Sequence, residues 1–256
     1  MKNTLIRLSA GGLILATMAG CTHTPGGKPL FDSYEKCMKA NAAGSVAGGL
    51  LAGVATAALT GKTGAGVAVG AAVTGASLYL SWVQCAAAYQ KVENTEIRPQ
   101  GKSKKALADK LFIDRLELQA GLPGEEIKRT MRYVISSADV DKQDILVKET
   151  SILMVPRTGY LPDGSIAFTD LQGKPVMVDG KPVRSGQTKI PVDRLFYQEY
   201  AVPGIDVTVR PGTRKSDGLL PTDTRMQPGI PYRLKMQVSA LGMQDESIQT
   251  FYFRQK

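Results

Sequence analysis

The sequence has one histidine, one tryptophan and only three cysteines among 256 residues. The histidine, His23, stands beside a Pro- and Gly-containing stretch, so a serine–histidine–acid triad has no base elsewhere in the chain. No two cysteines have the close spacing of a zinc site, and no glycine-rich phosphate loop joins a strand to a helix. We therefore expect no enzyme activity, metal or cofactor. A pair of catalytic carboxylates stays open as an alternative, because acids are plentiful and a sequence gives no distances between them.

Charge is missing from two long segments, residues 40–61 and 63–90, which only Lys62 separates. Each is longer than the roughly 20 residues that cross a bilayer as a helix. Small residues recur every four positions, although glycine destabilises an isolated helix by about 1 kcal/mol relative to alanine. In a membrane, the same spacing lets two helices approach closely. We therefore predict an antiparallel helical hairpin over residues 31–92, packed through Gly44, Gly48, Gly49, Gly53, Gly66 and Gly70.

The two later cysteines lie at similar separations on either side of Lys62, in the turn of that hairpin. Antiparallel helices would place Cys37 and Cys85 at nearly the same height, within reach of each other. Exported proteins meet an oxidising environment in which such pairs form. We predict a Cys37–Cys85 disulfide.

The first twenty residues are typical of an export signal. Lys2 and Arg7 precede an apolar stretch over residues 8–18, and Met18-Ala19-Gly20-Cys21 matches a lipobox. We predict signal cleavage after residue 20, lipidation of Cys21 and a flexible tether over residues 21–30. Loss of two basic residues with the signal lowers the formal charge from +9 to +7. This charge favours anionic lipid, lipopolysaccharide or peptidoglycan over nucleic acid as a partner, unless it serves solubility alone.

A lipobox followed by glycine repeats in two helices resembles the glycine-zipper outer-membrane lipoproteins, which include the rickettsial surface-antigen family. The resemblance covers residues 1 to about 92 and rests on spacing. It implies association with the outer membrane and its barrel proteins, in support of envelope integrity. The two cysteines and the long C-terminal region depart from that pattern.

Beyond a charged, polar linker at residues 93–110, the period of apolar residues changes from four to two. The alternation is clearest from Ile230 to Ala240, and segments such as Ile152 to Val155 and Ile205 to Val209 are shorter strand candidates. Turn signals such as Asp163-Gly164 and Asp179-Gly180 separate them. We predict an antiparallel β-sandwich, with an immunoglobulin-like topology as one option, over residues 111–256. The predicted fold class is thus α and β in separate domains.

Two clusters in this region have a binding interpretation and a plainer one. Asp139, Asp141 and Asp144 lack the glycine and glutamate of a calcium loop, so a solvated turn is favoured. Arg210, Arg214 and Lys215 could form an anion-binding loop, but a solvated loop is favoured.

These patterns predict a lipid-anchored outer-membrane protein on the periplasmic face, with a structural or interaction role. Its β domain would bind another envelope component, and the sequence indicates no small-molecule substrate. The alternative is a subunit of an oligomeric pore or export complex, built by self-association of the glycine-faced hairpins.

Overall fold

The structure is a computed structural model. The predicted signal peptide, the tether with Cys21, and the six packing glycines lie outside its described residues, so these predictions are left as they stand. The described residues are 31–41, 78–101, 108–138, 144–187 and 189–255.

Four antiparallel strands form the first sheet, here called sheet A, in the order β1-β11-β3-β2. Their inward positions alternate with outward ones, and β3 and β11 are buried at every second residue. This period of two gives each strand one face toward the core and one toward solvent. The strands are β1 (Lys91–Pro99), β2 (Lys110–Gln119), β3 (Ile127–Ser136) and β11 (Gly212–Leu220).

The second sheet, sheet B, has the order β10-β4-β12-β13, and β9 also pairs with β4. β4 is long enough to pair with β10 through its first half and with β9 through its second half. Leu241 and Gly242 both have positive φ between β12 and β13, as a two-residue hairpin turn requires. The strands are β4 (Ile145–Pro156), β9 (Tyr197–Ala201), β10 (Ile205–Val209), β12 (Tyr232–Ala240) and β13 (Met243–Phe251).

The chain between β4 and β9 forms a small insert of short hairpins. Its strands are β5 (Thr158–Tyr160), β6 (Ile166–Phe168), β7 (Met177–Val178) and β8 (Lys181–Pro182), followed by a 3-10 turn at Val192–Arg194. The turn signals Asp163-Gly164 and Asp179-Gly180 both lie at chain reversals here, as predicted.

Sheets A and B pack face to face around one hydrophobic core. The inward face of β12 carries Tyr232, Leu234 and Met236, all of them buried. β2 runs beside β13 at one side of the sandwich, where the Ile113 amide donates to Asp245 Oδ2 at 2.6 Å. The prediction of a β-sandwich is confirmed at this level, and the predicted strand from Ile230 to Ala240 corresponds to β12.

The described residues also contain two short helical segments, α1 (residues 34–41) and α2 (residues 78–89). Ser33 precedes α1 and its hydroxyl accepts a hydrogen bond from the Lys36 amide at 3.3 Å, as an N-cap does. In α2, Trp82, Cys85 and Ala86 share one face and are fully buried. Neither segment is long and apolar enough to cross a membrane.

The predicted fold class, with a glycine-zipper hairpin as a domain separate from the β region, is wrong. The described part of the chain is mostly antiparallel β-sheet, and α1 and α2 contribute to the same core as the strands. The Trp82 indole donates to the Pro221 carbonyl at 2.7 Å, and the Tyr79 ring lies 5.1 Å from that of Tyr200. Large aromatic side chains thus pack α2 against the sandwich, whereas the separate hairpin was predicted from the spacing of its small residues.

The prediction of a linker at residues 93–110 is also wrong at its beginning. β1 follows α2 after the single residue Gln90 and pairs with β11 from Lys91 to Pro99. The segment resembles a linker because an edge strand pairs on one side only and carries charged residues that discourage further pairing.

The single tryptophan offers a test of whether the helical and β parts unfold together. Because Trp82 is buried between α2 and the 221 loop, its fluorescence reports on that docking. We expect urea unfolding followed by tryptophan emission and by far-ultraviolet circular dichroism to give coincident transitions. A tryptophan transition at clearly lower urea would show that α2 undocks independently and would contradict a shared cooperative core.

Candidate functional site

Cys37 and Cys85 form a disulfide, as predicted, with an S–S distance of 2.09 Å and a Cα–Cα distance of 5.8 Å. Both cysteines are buried. The Tyr89 hydroxyl donates to the Phe31 carbonyl, so α1 and α2 are joined at a second point. We call α1, α2 and the disulfide the N-terminal clamp, because they hold the start of the described chain on the sandwich.

Arg214 and Lys215 lie in neither of the two kinds of loop considered for them. Arg214 and Lys215 belong to strand β11, and consecutive strand residues point to opposite faces of the sheet. Arg214 faces inward and bonds Glu96 at 3.2 Å, whereas Lys215 faces outward and pairs with Asp217 at 2.6 Å. Of the three aspartates for which a calcium loop was weighed against a solvated turn, only Asp144 is described, and no three potential metal ligands come together in the described ranges.

A buried ion pair joins the two sheets. Arg129 of β3 is 2% exposed and Glu149 of β4 is 3% exposed. The Arg129 Nη2 atom donates to Glu149 Oε2 at 3.2 Å, and the Ser216 hydroxyl donates to the same oxygen at 2.5 Å. Arg129 Nη1 in turn donates to Ser216 Oγ at 3.2 Å. These bonds link strands β3, β4 and β11 in one closed polar cluster.

The cluster extends to the edge strand through Asn94. Its amide nitrogen donates to Glu149 Oε1 at 2.9 Å and to the Tyr133 hydroxyl at 2.8 Å. Its amide oxygen accepts from Arg214 Nε at 2.9 Å. Every strand of sheet A except β2 therefore contributes to the buried polar network.

Burial is the main influence on the titration of these groups. It lowers the pKa of Arg129 and raises the pKa of the Tyr133 hydroxyl above their ordinary values. Glu149 opposes the first shift and adds to the second, since a nearby carboxylate stabilises a cation and destabilises a phenolate. An arginine stays protonated at physiological pH even after such a shift, so the network carries a buried charge pair.

A recess of about 740 Å³ lies on sheet A and is a candidate site for binding a partner. Each of the four strands contributes three consecutive residues to it, together with Gln249 of β13. In each triplet, strand alternation turns the middle side chain toward the core and the two flanking side chains toward solvent. The recess lies between these flanking side chains, on the outer face of sheet A. We call it the outer recess; its outward residues are Lys91, Glu93, Glu117, Gln119, Lys128, Thr130, Asp217 and Leu219.

The pairing registers place these side chains in two rows across the sheet. One row runs Lys91, Leu219, Lys128 and Gln119, and the other runs Glu93, Asp217, Thr130 and Glu117. Within the acidic row, Asp217 pairs with Lys215 and Glu117 pairs with Arg115. Lys91, Lys128 and Glu93 form no ion pair with any described residue.

A smaller recess of about 450 Å³ separates α1 from the loop at residues 222–225. The Tyr34 hydroxyl is buried there without a hydrogen-bond partner among the described residues, and burial raises its pKa. Burial alone would raise the pKa of Asp223. Its carboxylate, however, accepts two hydrogen bonds from the Arg225 side chain and one from the Arg225 backbone amide, and these hold the pKa of Asp223 below the ordinary value. The Asp223 carboxylate is thus engaged by Arg225, whereas the Tyr34 hydroxyl is a buried donor without a partner among the described residues.

The outer recess was not predicted, because its residues come from four strands that are distant in sequence. The charged core residues had a sequence signal that was not used. In the sequence, Met131 and Tyr133 alternate with Arg132, and the same period of two places Arg129 on the face of Met131 and Tyr133.

Comparisons with known proteins leave the family open. No family model matches the chain, and no curated protein matches it. Among solved structures, the sporulation control protein Spo0M from Bacillus subtilis is 10% identical with a TM-score of 0.31, over 57% of this chain and 50% of that one. A DUF4466 family protein from Parabacteroides merdae is 12% identical with a TM-score of 0.29, over 64% and 44%. The chain thus spans half or less of each of these structures, and similarity at this level carries no functional argument.

Proposed function

We propose that the protein is a lipid-anchored interaction protein of the outer membrane, whose periplasmic β-sandwich binds another envelope component without catalysing a reaction. The observation that carries the proposal is the N-terminal clamp. It fixes the described chain from Phe31 onward on the sandwich through a buried disulfide and a shared core. A lipid on Cys21 would therefore hold the whole sandwich, and not a loose extension of it, near the membrane.

The length of the tether supports the same arrangement. Phe31 lies ten positions after Cys21, and an extended chain spans at most about 3.5 Å per position, or roughly 35 Å here. The point where the clamp begins would thus lie within that distance of the lipid. The disulfide is also typical of proteins that fold in an oxidising compartment.

The pore alternative depends on helix packing through Gly44, Gly48, Gly49, Gly53, Gly66 and Gly70. All six lie outside the described residues, and no contact in the described part of the chain favours self-assembly. We therefore argue for the interaction role.

The anchor is tested by expressing the full chain in a Gram-negative host with an alkyne fatty acid in the medium. We expect the native protein to carry the label and to fractionate with outer membranes, and the Cys21→Ala variant to lose both properties. A Cys37→Ser/Cys85→Ser variant is the matched control, because it removes the other two cysteines but keeps the predicted lipid site. An unlabelled native protein in the soluble periplasmic fraction would overturn the proposal.

A further inference from the structure

We propose that the outer recess binds an acidic, extended peptide segment of the envelope partner, held by Lys91 and Lys128. This inference rests on the proposed function and names the surface and the chemistry through which it would act. The recess has the volume of an ordinary ligand site, which is about 300–1,000 Å³. Its floor is the backbone of four hydrogen-bonded strands, so its shape is set before any ligand arrives.

The uncompensated charges determine the sign of the ligand. Two cations, Lys91 and Lys128, face one uncompensated acid, Glu93, since the other two acids of the recess already pair with Lys215 and Arg115. The recess therefore attracts an anion, and Glu93 accepts a hydrogen bond from an amide or a cationic group beside it.

The spacing of the lysines suits a peptide. Lys91 and Lys128 lie two strands apart, or about 10 Å at the usual strand separation, with Leu219 between them. Acidic side chains at alternate positions of an extended peptide share a face and stand about 7 Å apart. The long, flexible lysine side chains can make up the difference between these two distances. The half-buried Leu219 lies between the two lysines, where it would contact the aliphatic stems of the two acidic side chains.

The position and shape of the recess favour a protruding segment over a lipid surface. Lys91 follows α2 after one residue, so the recess lies next to the N-terminal clamp. A flat bilayer cannot reach the floor of a concave recess, whereas an extended peptide can.

The binding test uses the lipidated full-length protein in neutral detergent. The probe is a fluorescent, end-capped hexapeptide of alternating glutamate and valine, and glutamine replaces glutamate in the control peptide. We expect saturable binding of the acidic probe alone, weakened at least about tenfold by Lys91→Glu/Lys128→Glu and by increased salt. The control variant Lys174→Glu/Lys181→Glu has the same change in net charge on exposed residues of the insert and should bind as the native protein does. Equal weakening by both variants, or no binding, would overturn the inference.

Two further experiments distinguish failure of this inference from failure of the proposed function. A photo-cross-linker at Gln119, in the recess, should give adducts with an envelope protein in cells, and one at Gln172, exposed in the insert, should not. Adducts from other sites on the sandwich but not from Gln119 would overturn the recess and leave the proposed function intact. Absence of adducts from every site would count against both. Binding to phosphatidylglycerol vesicles that Lys91→Glu/Lys128→Glu abolishes, without peptide binding, would assign the recess to lipid and overturn the inference.

Discussion

Replacing Glu149 with glutamine should lower the free energy of unfolding by about 3–5 kcal/mol. The side chain keeps its size, but Arg129 then remains charged in the core without its counterion. Removing one member of a buried ion pair costs more than the pair itself contributes, because the remaining charge is desolvated and uncompensated. Urea denaturation of the full-length protein, with the midpoint and slope both recorded, measures the loss.

A surface substitution of the same chemistry provides the control. Glu199 pairs with Lys235 at 2.7 Å on the outer face of sheet B, where Glu199 is 47% exposed. Glu199→Gln should cost no more than about 1 kcal/mol, because solvent screens exposed pairs. If Glu149→Gln and Glu199→Gln cost the same, the buried network does not have the energetic role assigned to it here.

A double-mutant cycle identifies the partner. Arg129→Met removes the cation, so the double variant with Glu149→Gln no longer contains an isolated buried charge. We expect the double variant to lose less free energy of unfolding than the two single variants lose together. The difference should be about 1 kcal/mol or more, as is usual for residues in direct contact. Additive losses would indicate that Glu149 acts mainly through Ser216 and Asn94.

The strands could be predicted to the extent that their side chains alternate by polarity. The segment of β12 has apolar residues at each inward position and was predicted almost to its ends. β1 was mistaken for a linker because its inward side carries Asn94 and Glu96, whose partners are the distant Arg214, Tyr133 and Glu149. Polarity alone cannot mark a strand whose inward face is satisfied by side chains from elsewhere in the chain.

The disulfide and the fold around it illustrate different limits. The symmetric spacing of Cys37 and Cys85 around Lys62 was enough to predict their disulfide, because that prediction required only that the two residues lie close together. The docking of α2 depends on Trp82 reaching the Pro221 carbonyl, more than a hundred residues away. Such a contact leaves no local pattern, so the helical region appeared to be a domain of its own.

Replacing both Cys37 and Cys85 with alanine should lower the free energy of unfolding by about 4 kcal/mol. The bond closes a loop of 48 residues, and on the chain-entropy model a loop of this length restricts the unfolded state by that amount. Alanine fills much of the space of a buried cysteine and adds no unpaired polar group, so the loss reports on the cross-link. Urea denaturation of the variant beside the oxidised native protein gives the difference.

The same variant tests what the clamp does for the anchor. If the disulfide holds α1 on the sandwich, the variant should be cut by a dilute protease within residues 31–41 under conditions in which the oxidised native protein resists. The native protein unfolded in a reductant and refolded without oxidation should behave as the alanine variant does, because both lack the cross-link. Native-like resistance in the variant would show that the core contacts of Met38 and Trp82 hold the clamp alone. In that case packing alone would connect the proposed lipid on Cys21 to the sandwich, and the disulfide would matter only for the unfolded chain.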